Sequence, residues 1–148
     1  MAASGNALVD TSAILAILDR RDVWHVPCQN AFRQLSFPLL TSEAVLTELF
    51  HLADKSRIET EKVWGFVRSG AMVLGAIENA ELPALHALMS RYADRPMDFA
   101  DATLVHLANR ESLSAILTVD QADFATYRLE GKKRFHVLPV ERPQSHRP

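Results

Sequence analysis

Five short apolar runs alternate with longer segments of helical spacing along the chain, and this alternation limits the choice of folds more than any other feature. The runs span residues 7–9, 37–41, 71–77, 115–119 and 134–140. Strands that are separated by helices need crossover connections, which place neighbouring strands parallel to one another. The pattern therefore predicts an α/β protein, a single three-layer α/β/α sandwich with a mostly parallel five-stranded sheet.

The helices are predicted in the segments between the runs. Ser42 is the expected N-cap of a helix over residues 42–55. Proline suits a first turn, so another helix is expected from about Pro27 to residue 35. Gly70 stands in a C-cap position at the end of a helix over residues 59–70. Four further helices are predicted over residues 11–18, 80–94, 98–112 and 121–128.

Length and composition indicate one globular domain. The chain of 148 residues is long enough to bury a core, and we assign residues 1–140 to the domain and residues 141–148 to a disordered tail. No signal peptide or membrane-spanning run is recognisable, so a cytoplasmic protein is expected. Cys28 is the only cysteine, which excludes an intrachain disulfide and a thiolate metal cluster. The formal net charge of −2 argues against a module that coats nucleic acid through bulk positive charge.

Two aspartates follow predicted strands directly. Asp10 ends the first run and Asp120 ends the fourth. Residues after the strands of a parallel sheet share one edge, where ligands bind near the point at which the strand order reverses. Each aspartate alone is explained well as a helix N-cap or turn residue. Two of them at one edge favour a functional site.

Glu48 is predicted at the border of a buried stripe. Three of the four residues that share its helical face are apolar. A glutamate in that position is either a half-buried boundary residue or part of a site at the same edge.

Asp98 and Asp101 stand three residues apart at the start of an apolar helix. The spacing resembles a capping box, with Asp98 as N-cap and the Asp101 side chain reaching back to it. Alternatively, Pro96 occupies the first turn and Asp101 lies inside the helix, at the border of its core-facing stripe. Capping explains one of these aspartates more readily than both.

Several carboxylates at one edge repel one another unless a cation lies between them. Oxygen ligands without an organised set of histidines or cysteines suit Mg²⁺ or Mn²⁺ rather than zinc. The six histidines show no metal-binding spacing, and His51 and His106 are expected to be surface or hydrogen-bonded boundary residues.

Four segments resemble, in order, the motifs of the PIN-domain family, and in particular its VapC-like toxins. They read LVDTSAI, TSEAVLTEL, DFADATLVHLA and ILTVDQADF, and the resemblance spans about residues 7–140. It implies a Rossmann-like sandwich and a Mg²⁺- or Mn²⁺-dependent endoribonuclease, commonly a homodimer. It also implies inhibition by a cognate antitoxin that presents a peptide to the active-site groove.

The resemblance also implies roles for individual residues. It assigns the four family acids to Asp10, Glu48, Asp101 and Asp120, and an additional acid to Asp98. Asp123 is either an accessory ligand or a turn residue. The small polar positions of the family, where a hydroxyl orients a carboxylate or water, correspond to Thr11, Ser12 and Thr118.

The mechanism expected from these roles is metal-assisted hydrolysis of an RNA phosphodiester. Asp10, Asp101 and Asp120 would ligate one or two cations, and Glu48 and Asp98 would complete the site. Single-stranded or looped RNA is the expected substrate, because splayed bases are accessible to a protein. The candidates for a positive rim are Arg20, Arg21, Arg128, Lys132, Lys133 and Arg134, which are equally well explained as solvated surface charges.

Two alternative functions remain at this point. A phosphatase of the haloacid-dehalogenase type needs two aspartates flanking one residue after the first strand, whereas this chain has Asp10-Thr11-Ser12. A receiver domain needs paired acids there and a lysine after its last strand, and neither is evident. A non-catalytic interaction module of the same fold is the other alternative, although it has little use for carboxylates at one sheet edge.

Overall fold

In a computed structural model, which describes residues 6–95 and 97–144, the five predicted strands form one parallel sheet in the order β3-β2-β1-β4-β5. The strands are short because each is a buried run bounded by polar or turn residues. They are β1 (Leu8–Val9), β2 (Leu39–Thr41), β3 (Met72–Leu74), β4 (Ala115–Leu117) and β5 (His136–Leu138). Leu8 pairs with Leu40 on one side and with Ile116 on the other, so β1 lies at the centre.

Within the described ranges, seven α-helices connect the strands. Their bounds are α1 (Thr11–Leu18), α2 (His25–Gln34), α3 (Glu43–Lys55), α4 (Thr60–Val67), α5 (Leu82–Arg91), α6 (Phe99–Glu111) and α7 (Gln121–Thr126). The segment predicted as one helix over residues 80–94 begins with a 3-10 turn at Asn79–Glu81. The helix predicted to end at Gly70 ends at Val67, and Gly70 has a φ of 90° in the turn before β3.

The strand order distributes the helices over both faces of the sheet. The chain runs from β1 outward to β3, with α1 packed against α2 and α3, and α3 against α4. It then returns across β1 to β4, and α5 packs against α6. Because crossovers are right-handed, reversing the direction of travel places α5, α6 and α7 on the opposite face. The predicted three-layer α/β/α sandwich is confirmed.

The order of the strands also locates the site. It reverses between β1 and β4, the position at which ligands bind in open α/β sheets. It differs from the 2-1-3-4-5 order of receiver domains, so that alternative is wrong.

Helix α6 closes the core beneath this edge. Its residues between Ala100 and Ala108 are almost all buried, Leu104 and Leu107 completely. A Cβ atom at Gly75, just after β3, would lie 2.7 Å from the end of the Leu107 side chain, so a larger residue here would force Leu107 to shift. Within the described ranges, no helix is both long and apolar enough to cross a membrane. Residues 141–144 have no regular structure, and the rest of the predicted tail lies outside the described residues.

Candidate metal centre

Asp10 lies at the centre of the carboxyl edge of the sheet. It follows β1 directly, serves as N-cap of α1, and is 2% exposed. Its Oδ1 accepts a hydrogen bond from the backbone N–H of Thr11 (2.8 Å), and its Oδ2 accepts one from the hydroxyl of Thr118 (3.0 Å). The side chain is therefore held in one orientation by a neighbour in sequence and by a neighbour across the sheet.

Thr118 connects the two strand ends. Its only hydroxyl hydrogen is donated to Asp10, so it must act as acceptor in its other contacts. It accepts from the backbone N–H of Asp120 (3.0 Å) and from the hydroxyl of Ser12 (3.2 Å). The Ser12 oxygen in turn accepts from the N–H of Val119 (2.9 Å). This network sets the chain after β4 against the start of α1, and it positions Asp120 beside Asp10.

Asp98 and Asp101 occupy the N-terminus of α6. Asp98 is the N-cap, and its Oδ1 accepts from the backbone N–H of Asp101 (2.8 Å), so the predicted capping role is confirmed. The helix begins at Phe99, and Pro96, the alternative first-turn residue, lies outside the described residues. Oδ2 of Asp101 accepts a hydrogen bond from the hydroxyl of Tyr127 (3.0 Å). Capping accounts for Asp98 and leaves Asp101 to be explained by the site.

The pKa values of the central carboxyls show that these groups face one another. Burial, followed by the charges of Asp120 and Glu48, raises the pKa of Asp10 to about 7. Burial and the charges of Asp98 and Asp10 raise the pKa of Asp101 to about 8. The pKa of Asp120 is also raised, by desolvation and by the charges of Asp123 and Asp98, while a hydrogen bond with Asp10 opposes the shift. In the described part of the chain, no basic side chain is among the causes of these shifts, so the carboxyls at this edge raise one another's pKa without a compensating cation.

Glu48 approaches the site from the other face of the sheet. It lies in α3, is half-buried as predicted, and is close enough to raise the pKa of Asp10. The start of α3 is joined to the start of α6, because the hydroxyl of Ser42 donates to Thr103 (2.8 Å). Thr103 donates its own hydrogen to the carbonyl of Ala100 (2.6 Å). This contact fixes α3, and Glu48 with it, relative to the aspartates of α6.

The chemistry of these residues suits a divalent cation, but their side chains do not yet form a complete coordination site. Carboxylate oxygens are the ligands that Mg²⁺ and Mn²⁺ prefer, and bringing a cation among these acids would relieve their repulsion. Among the described residues, no three His, Cys, Asp or Glu side chains stand close enough to hold a metal ion as they are. A cation would have to draw Asp10, Asp101 and Asp120 closer together.

The histidines and the basic residues that were predicted at the surface lie in different parts of the fold. His51 is exposed on α3, and His106 is bonded through Nε2 to Glu81 (2.8 Å), as expected for a satisfied boundary histidine. Arg20 and Arg21 follow the far end of α1, about 12 Å along the helix from Asp10, too distant to contact a phosphate at the site. The other candidates for the positive rim lie together in the segment after α7, at Arg128, Lys132, Lys133 and Arg134.

Tyr127 is the site residue that sequence reasoning missed. It is 1% exposed, and its ring packs edge-on against Tyr92 and Phe124 at centroid distances of 5.1 and 5.2 Å. Its contact with Asp101 joins residues 26 positions apart and depends on the path of the chain after α7. An aromatic residue after a short helix carries no signal that distinguishes such a contact from ordinary core packing.

Comparison with known proteins gives consistent similarities. The family model described as PIN domain matches residues 7–129. Ribonuclease VapC26 of Mycobacterium tuberculosis is 31% identical over 134 residues, which cover 89% of this chain and 99% of that protein. The crystal structure of VapC20 of the same organism, described as a sarcin–ricin loop cleaving toxin, aligns with a TM-score of 0.69. That alignment covers 77% of this chain and 89% of VapC20 at 19% identity, so the likeness concerns the fold.

Proposed function

The chain belongs to the PIN domain family, and we propose that it is a divalent-metal-dependent endoribonuclease of the VapC type, the toxin of a toxin–antitoxin pair. The near full-length similarity to a named ribonuclease supports the activity. The observation that carries the proposal is the meeting of Asp10, Asp101 and Asp120 at the point where the strand order reverses, each with a raised pKa.

Asp10, Asp101 and Asp120 would hold the cation, with Glu48 and Asp98 beside them. Bound Mg²⁺ or Mn²⁺ lowers the pKa of a water molecule and neutralises charge that develops on the phosphate. Thr118 and the N–H of Thr11 hold Asp10 in place, and Tyr127 holds Asp101. The N-terminus of α6 points its dipole at the same edge, which favours negative charge there.

The expected reaction is hydrolysis of an RNA phosphodiester by water. Water adds to phosphorus and the bond to the 3′ oxygen breaks, so one product keeps a 5′-phosphate and the other gains a 3′-hydroxyl. The 2′-hydroxyl takes no part, which distinguishes the reaction from cleavage through a cyclic phosphate. Single-stranded or looped RNA is the proposed substrate, because its bases are accessible.

A protein partner next to the site is the second part of the proposal. Phe99, directly after Asp98, is 47% exposed, and Leu82 is exposed to the same extent. Phe99 lines both an open groove of about 590 Å³ that contains Glu48 and Asp98, and a smaller one that contains Leu82. Exposed apolar side chains beside a polar site support docking of an antitoxin peptide. A homodimer is proposed from the family resemblance alone.

The activity is tested with purified protein and total cellular RNA. We expect cleavage with Mn²⁺ or Mg²⁺, loss of cleavage in EDTA, and 5′-phosphate ends on the products. Asp10→Asn and Asp101→Asn should each lower the rate by at least about 100-fold, because each removes a charged ligand. Asp54→Asn, an exposed aspartate of α3, is the matched control and should cleave normally.

Two outcomes would contradict the proposal. Metal-independent cleavage that survives both substitutions would exclude the mechanism. Mn²⁺ binding without cleavage of any RNA would indicate a non-catalytic interaction module. Sequencing of RNA ends after induction of the protein in cells would identify the target, and copurification of a small protein encoded by the adjacent gene would identify the antitoxin.

A further inference from the structure

A large cleft in the described part of the chain lies against α5 and α6, and none of the carboxylates of the metal centre lines it. It has a volume of about 1010 Å³. It is lined by residues of α5, of α6 and of the segment after α7. The polar residues that line it are Arg91, Tyr92, His106, Asn109, Arg110, Arg128, Glu130 and Lys132. We refer to it as the basic cleft.

The basic cleft has an excess of positive charge, although the whole chain carries a net charge of −2. Arg110 is neutralised, since its Nη1 contacts the Glu81 carboxylate at 2.7 Å. Within the described part of the chain, Arg91, Arg128 and Lys132 form no ion pair with a carboxylate. Glu130 is the only carboxylate among the lining residues. Three cations therefore face a single lining acid.

The basic cleft begins next to the metal centre. Tyr127 donates to Asp101, and the neighbouring residue, Arg128, donates its backbone N–H to the hydroxyl of Tyr92 (2.9 Å). Further on, the N–H of Glu130 donates to the side chain of Asn109 (2.9 Å). The segment from residue 127 to 130 thus runs beside α6 from Asp101 to Asn109, a rise of about 12 Å. A strand that leaves the carboxylates over Tyr127 would enter the basic cleft.

The lining residues fit a polyanion better than a protein partner. Interfaces with proteins are centred on large apolar or aromatic anchors. The exposed large apolar side chains of the described residues are Val23, Val26, Phe37, Trp64, Leu74, Leu82, Phe99 and Val140, and none of them lines the basic cleft. Cations on a concave surface beside a partly buried aromatic ring, here that of Tyr92, are typical of phosphate-backbone binding.

We propose that the basic cleft binds the phosphate backbone of the RNA next to the scissile bond, with Arg91, Arg128 and Lys132 as the phosphate contacts. This proposal rests on the proposed ribonuclease function and names the surface by which that site holds its substrate. The proposal also predicts the path of the bound RNA, which runs from the carboxyl edge of the sheet along α6.

The test measures RNA binding without cleavage. The probe is a fluorescein-labelled single-stranded RNA of about 20 nucleotides and mixed sequence, bound to full-length Asp10→Asn protein in EDTA. In this background, Arg91→Glu and Lys132→Glu should each weaken binding at least about five-fold near 0.1 M salt, and the neutral Arg91→Gln and Lys132→Gln should weaken it less. Each lost contact should also reduce the slope of log K against log salt by about 0.7.

Arg20→Glu is the matched control. Arg20 is exposed and lies beyond the far end of α1, so its charge reversal should leave the dissociation constant and the salt slope unchanged. The side chains of Arg91, Lys132 and Arg20 are exposed, and thermal melting confirms that each variant is folded. Polyglutamate of similar length serves as a second polyanion, which should compete poorly with RNA.

Equal affinity and salt slope in Arg91→Glu, Lys132→Glu and Arg20→Glu would overturn the proposal. Tighter binding of polyglutamate than of RNA, lost in the same variants, would also overturn it and assign the basic cleft to an acidic protein segment. The proposed function is tested separately by cleavage with the wild-type protein and Mn²⁺. If the wild-type protein cleaves RNA and the cleft variants bind RNA normally, the proposed function stands and the basic cleft is not the RNA-binding site.

Discussion

Tyr127 is the residue on which the orientation of Asp101 depends. Its hydroxyl donates to Oδ2 of Asp101, which leaves Oδ1 for a cation. The ring is held by edge-on packing against Tyr92 and Phe124, so the hydroxyl has little freedom to move away. Hydrogen bonds of this kind orient ligands and tune their affinity for metal.

Tyr127→Phe keeps the ring and removes the donor. We expect Mn²⁺ affinity, measured by calorimetric titration, to fall about 10-fold, in line with the loss of other groups that orient metal ligands. Because this hydrogen bond lowers the pKa of Asp101, its loss should raise that pKa further and move the acid limb of the activity profile to higher pH. Tyr92→Phe is the control, since it loses a bond of similar length to the backbone N–H of Arg128 and leaves Asp101 untouched. Equal Mn²⁺ affinity in the two variants would show that Tyr127 only fills space.

At the scale of elements, the residues at the carboxyl edge of the sheet could be predicted from the sequence, because short strands leave little choice of where they end. Asp10 and Asp120 follow buried runs, and Asp98 precedes an apolar helix, so local rules located them. The strand order was not predicted, because it depends on which face each crossover takes. The distant position of Arg20 follows from the length of α1, which separates it from the carboxyl edge.

Contacts between elements could not be predicted from local sequence patterns. Ser42 was predicted as the N-cap of α3, and its hydroxyl does accept from the N–H of Val45 (3.2 Å). The same hydroxyl donates to Thr103, 61 residues further along the chain. One side chain thus caps α3 and joins it to α6, which brings Glu48 toward the aspartates.

Ser42→Ala should therefore cost more than the loss of a cap. Removal of an N-cap costs about 1 kcal/mol, and the Thr103 hydroxyl loses a buried donor as well. We expect urea denaturation to show a loss of about 2 kcal/mol, together with weaker Mn²⁺ binding because α3 and α6 are less firmly joined. Ser90→Ala, at a solvent-accessible position of α5, is the control and should change stability by less than about 0.5 kcal/mol. A loss in Ser42→Ala no larger than that of a simple cap, with unchanged Mn²⁺ affinity, would contradict the coupling.

At the scale of the whole molecule, the crowding of carboxyls at the site lowers the free energy of unfolding as they ionise. Burial and the neighbouring carboxyls raise the pKa of Asp10 to about 7 and that of Asp101 to about 8, from the 3.8 of an unperturbed aspartate. Between those values the folded state binds more protons than the unfolded state, so the free energy of unfolding falls as pH rises. Glu81 does not mask this trend, because its pKa is lowered to about 2 by hydrogen bonds from the Glu78 backbone, His106 and Arg110. Its contribution is lost only at more acidic pH.

We therefore expect the free energy of unfolding in EDTA to fall by at least about 3 kcal/mol between pH 5 and pH 8. Each pH unit over which a carboxyl is protonated only in the folded state corresponds to about 1.4 kcal/mol, and Asp101 adds to the contribution of Asp10. Saturating Mn²⁺ should reverse the slope, because the cation competes with protons for the same carboxyls and stabilises only the folded state. Asp10→Asn should flatten the slope in EDTA and remove most of the stabilisation by Mn²⁺.

Urea denaturation at four pH values, with EDTA or with MnCl₂, measures both slopes. Asp54→Asn is again the control, because its carboxyl is exposed and its variant should follow the wild-type curves. A metal-free protein whose stability rises with pH across this range would mean that Asp10 and Asp101 are already ionised at neutral pH. The carboxylates would then be compensated within the protein, and the case for a cation between them would fail.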